Sequence, residues 1–156
     1  MQPSWPFLFR HPAHFLAFGF GSGLVPKAPG TAGTLVALPL YFLLLPLGQW
    51  YWLAVALMLL VGMWACGVAG RALGVHDHGG IVWDEIAAFL LVLPFAPQSL
   101  AGFALAFALF RLFDIWKPFP IRWFDLRVPG GVGVMFDDIL AAAYAILCLM
   151  GVAAWR

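Results

Sequence analysis

Charge in this chain is confined to short islands between long apolar runs, and that confinement constrains the fold more than any other feature. Four of the seven carboxylates, Asp114, Asp125, Asp137 and Asp138, fall between Arg111 and Asp138, with four of the eight basic residues, Arg111, Lys117, Arg122 and Arg127. The other three acids, Asp77, Asp84 and Glu85, form a second island, and no acid occurs elsewhere. Only 10% of the residues are charged, against about 25% in a soluble domain. So few charges cannot cover a soluble surface, and the 156 residues read as one integral membrane domain, 1–156. Neither the net charge of +1 nor any basic run points to nucleic acid.

Taken in order, residues 1–14 are a polar and aromatic lead. Phe15 to Thr34 is rich in glycine and proline, which disfavour regular structure. It carries what an anion site needs: flexible backbone, a cation at Lys27, and Thr31 as an N-cap for the helix that follows. A re-entrant turn or a plain helix lead-in would use the same residues. Apolar helix is expected over 34–47 and 50–69, with Trp50, Tyr51 and Trp52 as an interfacial aromatic belt. Residues 86–97 and 100–110 are each too short to cross a bilayer core of about 30 Å. A hairpin is preferred over one kinked helix, because it lets the two charged islands meet. Ile139 to Trp155 is the last span. The expected fold is all-α, a multi-pass membrane domain of four to five helical segments with one broken or hairpin pair. With a hairpin, every basic residue but Arg156 falls on one side, which the positive-inside rule makes cytoplasmic. Cys66 and Cys148 lie in apolar runs and read as packing residues.

The chemistry-bearing groups lie in the islands. Asp84 and Glu85, like Asp137 and Asp138, precede apolar helices, where acids act as caps. Two such pairs, with Asp77 and Asp114, exceed what capping needs. Carboxylates with few histidines suit Mg²⁺ better than zinc, and Mg²⁺ held this way works on phosphate. Asp84, Glu85, Asp137 and Asp138 are the candidate metal ligands. Lys27, Arg111, Lys117 and Arg122 are candidate phosphate clamps, assisted by Thr31. Asp84, Asp77, Asp114 and His76 are the candidate catalytic groups; His76 and His78 read equally well as polar loop residues. Arg111, Asp114 and Lys117, spaced i, i+3, i+6, share a helix face and could instead form a self-neutralising stripe. Residues 118–124 read as an interfacial segment, and the glycines at 130, 131 and 133 as a site for close backbone approach.

Four stretches, GFGSGLVPKAPGTAGT (19–34), GVHDHGGIVWDE (74–85), FRLFDIWKPFPIRWFD (110–125) and GGVGVMFDD (130–138), resemble the signature blocks of the phosphatidylglycerophosphatase A family. Ala87 stands where that family is expected to carry glycine. The resemblance implies an Mg²⁺-dependent enzyme of the bacterial inner membrane, active on the cytoplasmic side. It would hydrolyse phosphatidylglycerophosphate to phosphatidylglycerol and phosphate. Its motif residues fall here on Lys27, Thr31, His76, Asp77, Asp84, Glu85, Arg111, Asp114, Lys117, Asp137 and Asp138. The alternatives are a broader lipid-phosphate phosphatase, a CDP-alcohol phosphotransferase, whose motif is absent, and a small transporter, which would carry its acids within the spans.

Overall fold

A chain this apolar must satisfy its backbone N–H and C=O groups internally, and helices do so residue by residue. The computed structural model describes residues 3–155, which contain α-helices and 3-10 turns and no strand. The short helices α1 (Trp5–Leu8) and α2 (Pro12–Ala17) come first. They are followed by α3 (Pro29–Leu44), α4 (Tyr51–Leu73) and α5 (Trp83–Val92). The chain ends with α6 (Leu100–Trp116), the short α7 (Ile121–Asp125) and α8 (Gly130–Ala154). Among the described residues two stretches, Pro29–Leu73 and Gly130–Ala154, are long and apolar enough to cross a membrane. Arg156 lies outside the described residues.

Helix α5 is the centre of the molecule. Ile86, Ala87, Ala88, Phe89 and Leu90 are all fully buried, as expected of a helix that is apolar all round. It packs against α3, α4, α6 and α8. The outer helices instead expose Leu35, Phe42, Leu57, Leu60, Leu147 and Met150. Such a belt is a liability in water and an asset in lipid. At one end of the bundle, the Tyr41 hydroxyl donates to Gln98 Oε1 at 3.1 Å, tying α3 to the α5–α6 turn. Residues 86–110 form the expected hairpin: Glu85 at the start of α5 meets Arg111 near the end of α6.

Several boundaries differ from the sequence reading. The last helix starts at Gly130, nine residues before Ile139, so Asp137 and Asp138 lie about two turns inside α8 and are not caps. The reason is a helix crossing. A Cβ on Gly131 would lie 1.9 Å from the Met63 carbonyl oxygen, so glycine is what lets α8 touch α4. The glycine run is therefore packing surface; only Gly130, at φ 75°, uses the left-handed freedom. Thr31 is not an N-cap. Helix α3 begins at Pro29, and Ala28 precedes it as N-cap with φ 52°. Tyr51 leaves the aromatic belt: it is buried and its hydroxyl donates to the Leu90 carbonyl at 2.6 Å. The lead is structured as well, with Phe7, Leu8, Ala13 and His14 buried in the core.

Candidate active site

Three glycines bring the first motif stretch onto the acidic island. A Cβ on Gly23 would meet the Gly80 carbonyl oxygen at 1.9 Å, one on Gly33 would meet Val82 at 2.5 Å, and one on Gly30 would meet Glu85 Oε1 at 2.4 Å. The N-terminus of α3 thus lies directly on the Glu85 carboxylate, where its partial positive charge is favourable. Thr34 Oγ1 lies 2.9 Å from Glu85 Oε2 and 2.8 Å from the Gly30 carbonyl oxygen. Its one proton cannot fully serve both. Sequence reasoning missed Thr34, which hides in an apolar run; its only signal is a position four residues after Gly30, the back-bonding spacing of a helical threonine.

From the opposite side, Arg111 donates from Nη1 to Glu85 Oε2 at 2.7 Å and to Asp114 Oδ2 at 2.5 Å. Lys117 does not join that stripe. It ends α6 at φ 47° and turns its ammonium to Asp137 Oδ2 at 2.5 Å and Asp125 Oδ1 at 3.0 Å. Burial alone would lower the Lys117 pKa; the bonds to Asp137 and Asp125 outweigh it and hold the ammonium above its ordinary value. Asp125 was not among the candidate ligands, yet it completes this pair.

Each of the seven carboxylates feels at least one other, whereas among the described residues only Arg111 and Lys117 form ion pairs with the group. Asp84, Asp137 and Asp138 are buried. One oxygen of each, Asp84 Oδ1, Asp137 Oδ1 and Asp138 Oδ2, has no hydrogen-bond partner. Buried carboxylate oxygens without partners are costly. Hard oxygen donors with surplus negative charge fit a hard divalent cation. As they stand, no three His, Cys, Asp or Glu side chains among the described residues are gathered as a metal site.

The remaining candidates lie around this group. Asp77 is on the 74–82 loop, whose first residues are exposed and whose last, Gly80 to Val82, are buried, and it lies in the field of Lys117, Asp125, His76 and Asp114. Loss of surrounding water raises its pKa, Lys117 opposes that, and the Asp125 charge adds to it. His76 Nε2 lies 3.2 Å from the Val128 carbonyl oxygen. A carbonyl only accepts, so Nε2 is the donor in this contact. His78 Nδ1 accepts from the Gly80 N–H at 3.0 Å, a local turn contact. Lys27 is exposed three residues before Gly30, has no ion pair among the described residues, and does not reach the carboxylates. Arg122 is exposed on α7, beside Lys117 and Arg127 in a groove of about 530 Å³. Thr31 is half-buried in the first turn of α3.

Comparison with known proteins agrees with these motif stretches. The model of the family Phosphatidylglycerophosphatase A matches residues 15–153. Phosphatidylglycerophosphatase A of Escherichia coli (strain K12) is 47% identical over 133 residues, covering 84% of this chain and 77% of that protein. The Haemophilus influenzae protein of the same name is 46% identical over 148 residues, covering 93% and 91%. A Bacteroides thetaiotaomicron relative named, provisionally, as a phosphatidylinositol-3-phosphatase is 42% identical over 147 residues, covering 88% and 90%. No solved structure matches. The match runs through all four motif stretches and nearly every helix, and the chain belongs to the phosphatidylglycerophosphatase A family.

Proposed function

We propose that this protein is a divalent-cation-dependent phosphatase of the inner membrane that hydrolyses phosphatidylglycerophosphate to phosphatidylglycerol and phosphate. The observation that carries the reading is the buried carboxylate group with three unpartnered oxygens, in a chain of this family. Mg²⁺ is the proposed cation, held by Asp84, Asp137 and Asp138 with Glu85 adjoining. When bound it would screen the phosphate charge and make water more acidic.

The protein's own groups account for the rest. Arg111 and Lys117 are placed at the rim of the acid group, where their charge offsets the phosphate oxygens. Lys27, exposed in the turn ahead of α3, is a further cation of the first motif stretch. Asp77 has the freedom to take a proton from water, since Asp114 is held by Arg111. Hydrolysis adds the water oxygen to phosphorus, breaks the bond between phosphorus and the glycerol oxygen, and leaves that oxygen protonated. An aspartyl intermediate on Asp84 is the competing route. Chain reversals at residues 45–50 and at the α5–α6 turn, with the exposed apolar belt, support a multi-pass arrangement with this site facing the cytoplasm.

The sequence reading put all acids at span ends, against a transporter. Asp137 and Asp138 lie instead inside a candidate span, which would suit an ion path; the family match favours hydrolysis. Release of phosphate from phosphatidylglycerophosphate by the purified protein in detergent, alongside phosphatidic acid, tests the proposal. Release mainly from the former supports it. Equal release from both leaves a general lipid-phosphate phosphatase, and release from neither removes the enzyme reading.

A further inference from the structure

Outside the carboxylate group, the most distinctive surface is the groove formed by the end of α6, the connection to α7, and α7 itself. It has a volume of about 530 Å³ and is lined by Lys117, Phe119, Arg122, Trp123, Leu126 and Arg127. The Arg127 guanidinium lies over the Trp123 ring, 4.3 Å from its centroid. Stacking fixes the guanidinium plane and leaves its N–H edges free to donate. Among the described residues neither Arg122 nor Arg127 joins an ion pair. Phe119 is 78% exposed and Leu126 76%, which places large apolar side chains beside two uncommitted arginines. That combination matches the boundary between acyl chains and anionic headgroups. Lys117 connects the two places, since it lines the groove and also bonds Asp137.

We infer that this groove is the subsite for the phosphodiester of a glycerophospholipid, with Arg122 and Arg127 as its specificity-determining residues. The inference rests on the proposed phosphatase reading only for the identity of the substrate. A phosphatidylglycerophosphate headgroup carries two phosphates, a terminal monoester to be cut and a diester to be kept. Lys117 stands between the carboxylates that surround the first and the arginines that hold the second. Phosphatidic acid has a monoester and no diester, so it fills only one of the two places. The groove thereby selects the lipid by what is not cut, while the carboxylate group acts on any monoester presented to it.

The test is binding of short-chain (dihexanoyl) phosphatidylglycerol, which has the diester and no monoester, followed by tryptophan fluorescence of the detergent-solubilised full chain. Arg127→Gln, Arg122→Gln and their double variant are compared with wild type, with Arg127→Lys keeping the charge and losing the planar fork. Each single glutamine variant weakens binding about tenfold, and Arg127→Lys falls between, as loss of a charge-assisted bond to phosphate predicts. In turnover, the preference for phosphatidylglycerophosphate over phosphatidic acid shrinks by a similar factor through KM. Equal affinity of wild type and the double variant for the diester lipid overturns the inference, whatever the phosphatase assay gives. So does displacement of that lipid by an equal concentration of inorganic phosphate, which would make the groove an unselective anion patch. Binding lost in the variants of a protein that releases no phosphate keeps the subsite and removes the phosphatase reading.

Discussion

Arg111 and Glu85 lie 26 residues apart in sequence and 2.7 Å apart in space, Nη1 to Oε2, at the open end of the α5–α6 hairpin. Both side chains are largely buried, with 16% and 14% of their surface accessible. This pair brings the two charged islands together, and the same arginine also holds Asp114. Arg111→Met leaves two carboxylates without their cation. A stability loss of about 2–4 kcal/mol is expected, because removing one partner of a buried pair strands the other. Adding Glu85→Gln recovers part of it, and thermal unfolding of the two single variants and the double variant in detergent measures the coupling.

Lys117 provides the parallel test on the other side of the site. Lys117→Met leaves Asp137, which is 4% exposed, facing Asp125 without the ammonium. Both stability and turnover fall. The Lys117 pKa is raised on folding, so its contribution is fully present below the unfolded value near 10.4 and is lost only as pH rises through the still higher folded value. Wild-type unfolding temperature therefore shows no loss from this group between about pH 6 and 9. An unfolding transition that weakens through that window in wild type, but not in Lys117→Met, would contradict the assignment.

The glycine contacts predict a sharp positional contrast. In Gly131→Ala the new methyl meets the backbone of α4 at Met63 and Gly67. The helices must separate, at a cost of about 1–3 kcal/mol or more. Gly151→Ala, in the same helix with open space around it, is neutral or stabilising by up to about 1 kcal/mol. Chemical denaturation of both variants checks the ranking. Similar effects at the two positions would remove the helix crossing as the reason for Gly131.

Asp84→Asn and Asp138→Asn keep the shape of the buried group and, on the proposed reading, would weaken its hold on a cation. Turnover falls at least about 100-fold in each, as expected when a ligand to a catalytic metal is lost. Their unfolding temperatures stay at or above wild type, because a neutral amide relieves crowding among like charges. Loss of activity together with collapse of the fold would instead mark these acids as structural.

How much of this was legible beforehand follows from where the physics is local. The hairpin over 86–110 is preferred from the sequence because it lets the two charged islands meet, and it puts Glu85 and Arg111 on one side; that these two side chains pair directly is seen only in the structure. The start of α8 was not legible. Gly130, Gly131 and Gly133 each disfavour helix by about 1 kcal/mol relative to alanine, and the run reads as loop. Only the crossing with α4, a tertiary contact, overrides that preference. Mistaking the boundary placed Asp137 and Asp138 just ahead of the helix, where capping competed with the metal-ligand reading, when they project from its body. Thr34 was hidden for a related reason: nothing in its apolar neighbours shows that Gly30 lets Glu85 come against the same turn. Arg127 was passed over because its role depends on the Trp123 ring beneath it.

The most direct test of the central claim is phosphate release from phosphatidylglycerophosphate by chelator-treated protein, before and after Mg²⁺ is restored, with Asp138→Asn in parallel. The account predicts no release without the cation, recovery in wild type on adding Mg²⁺, and a higher Mg²⁺ requirement or no recovery in Asp138→Asn. Full activity in the presence of chelator, or an unchanged Mg²⁺ response in Asp138→Asn, would contradict it.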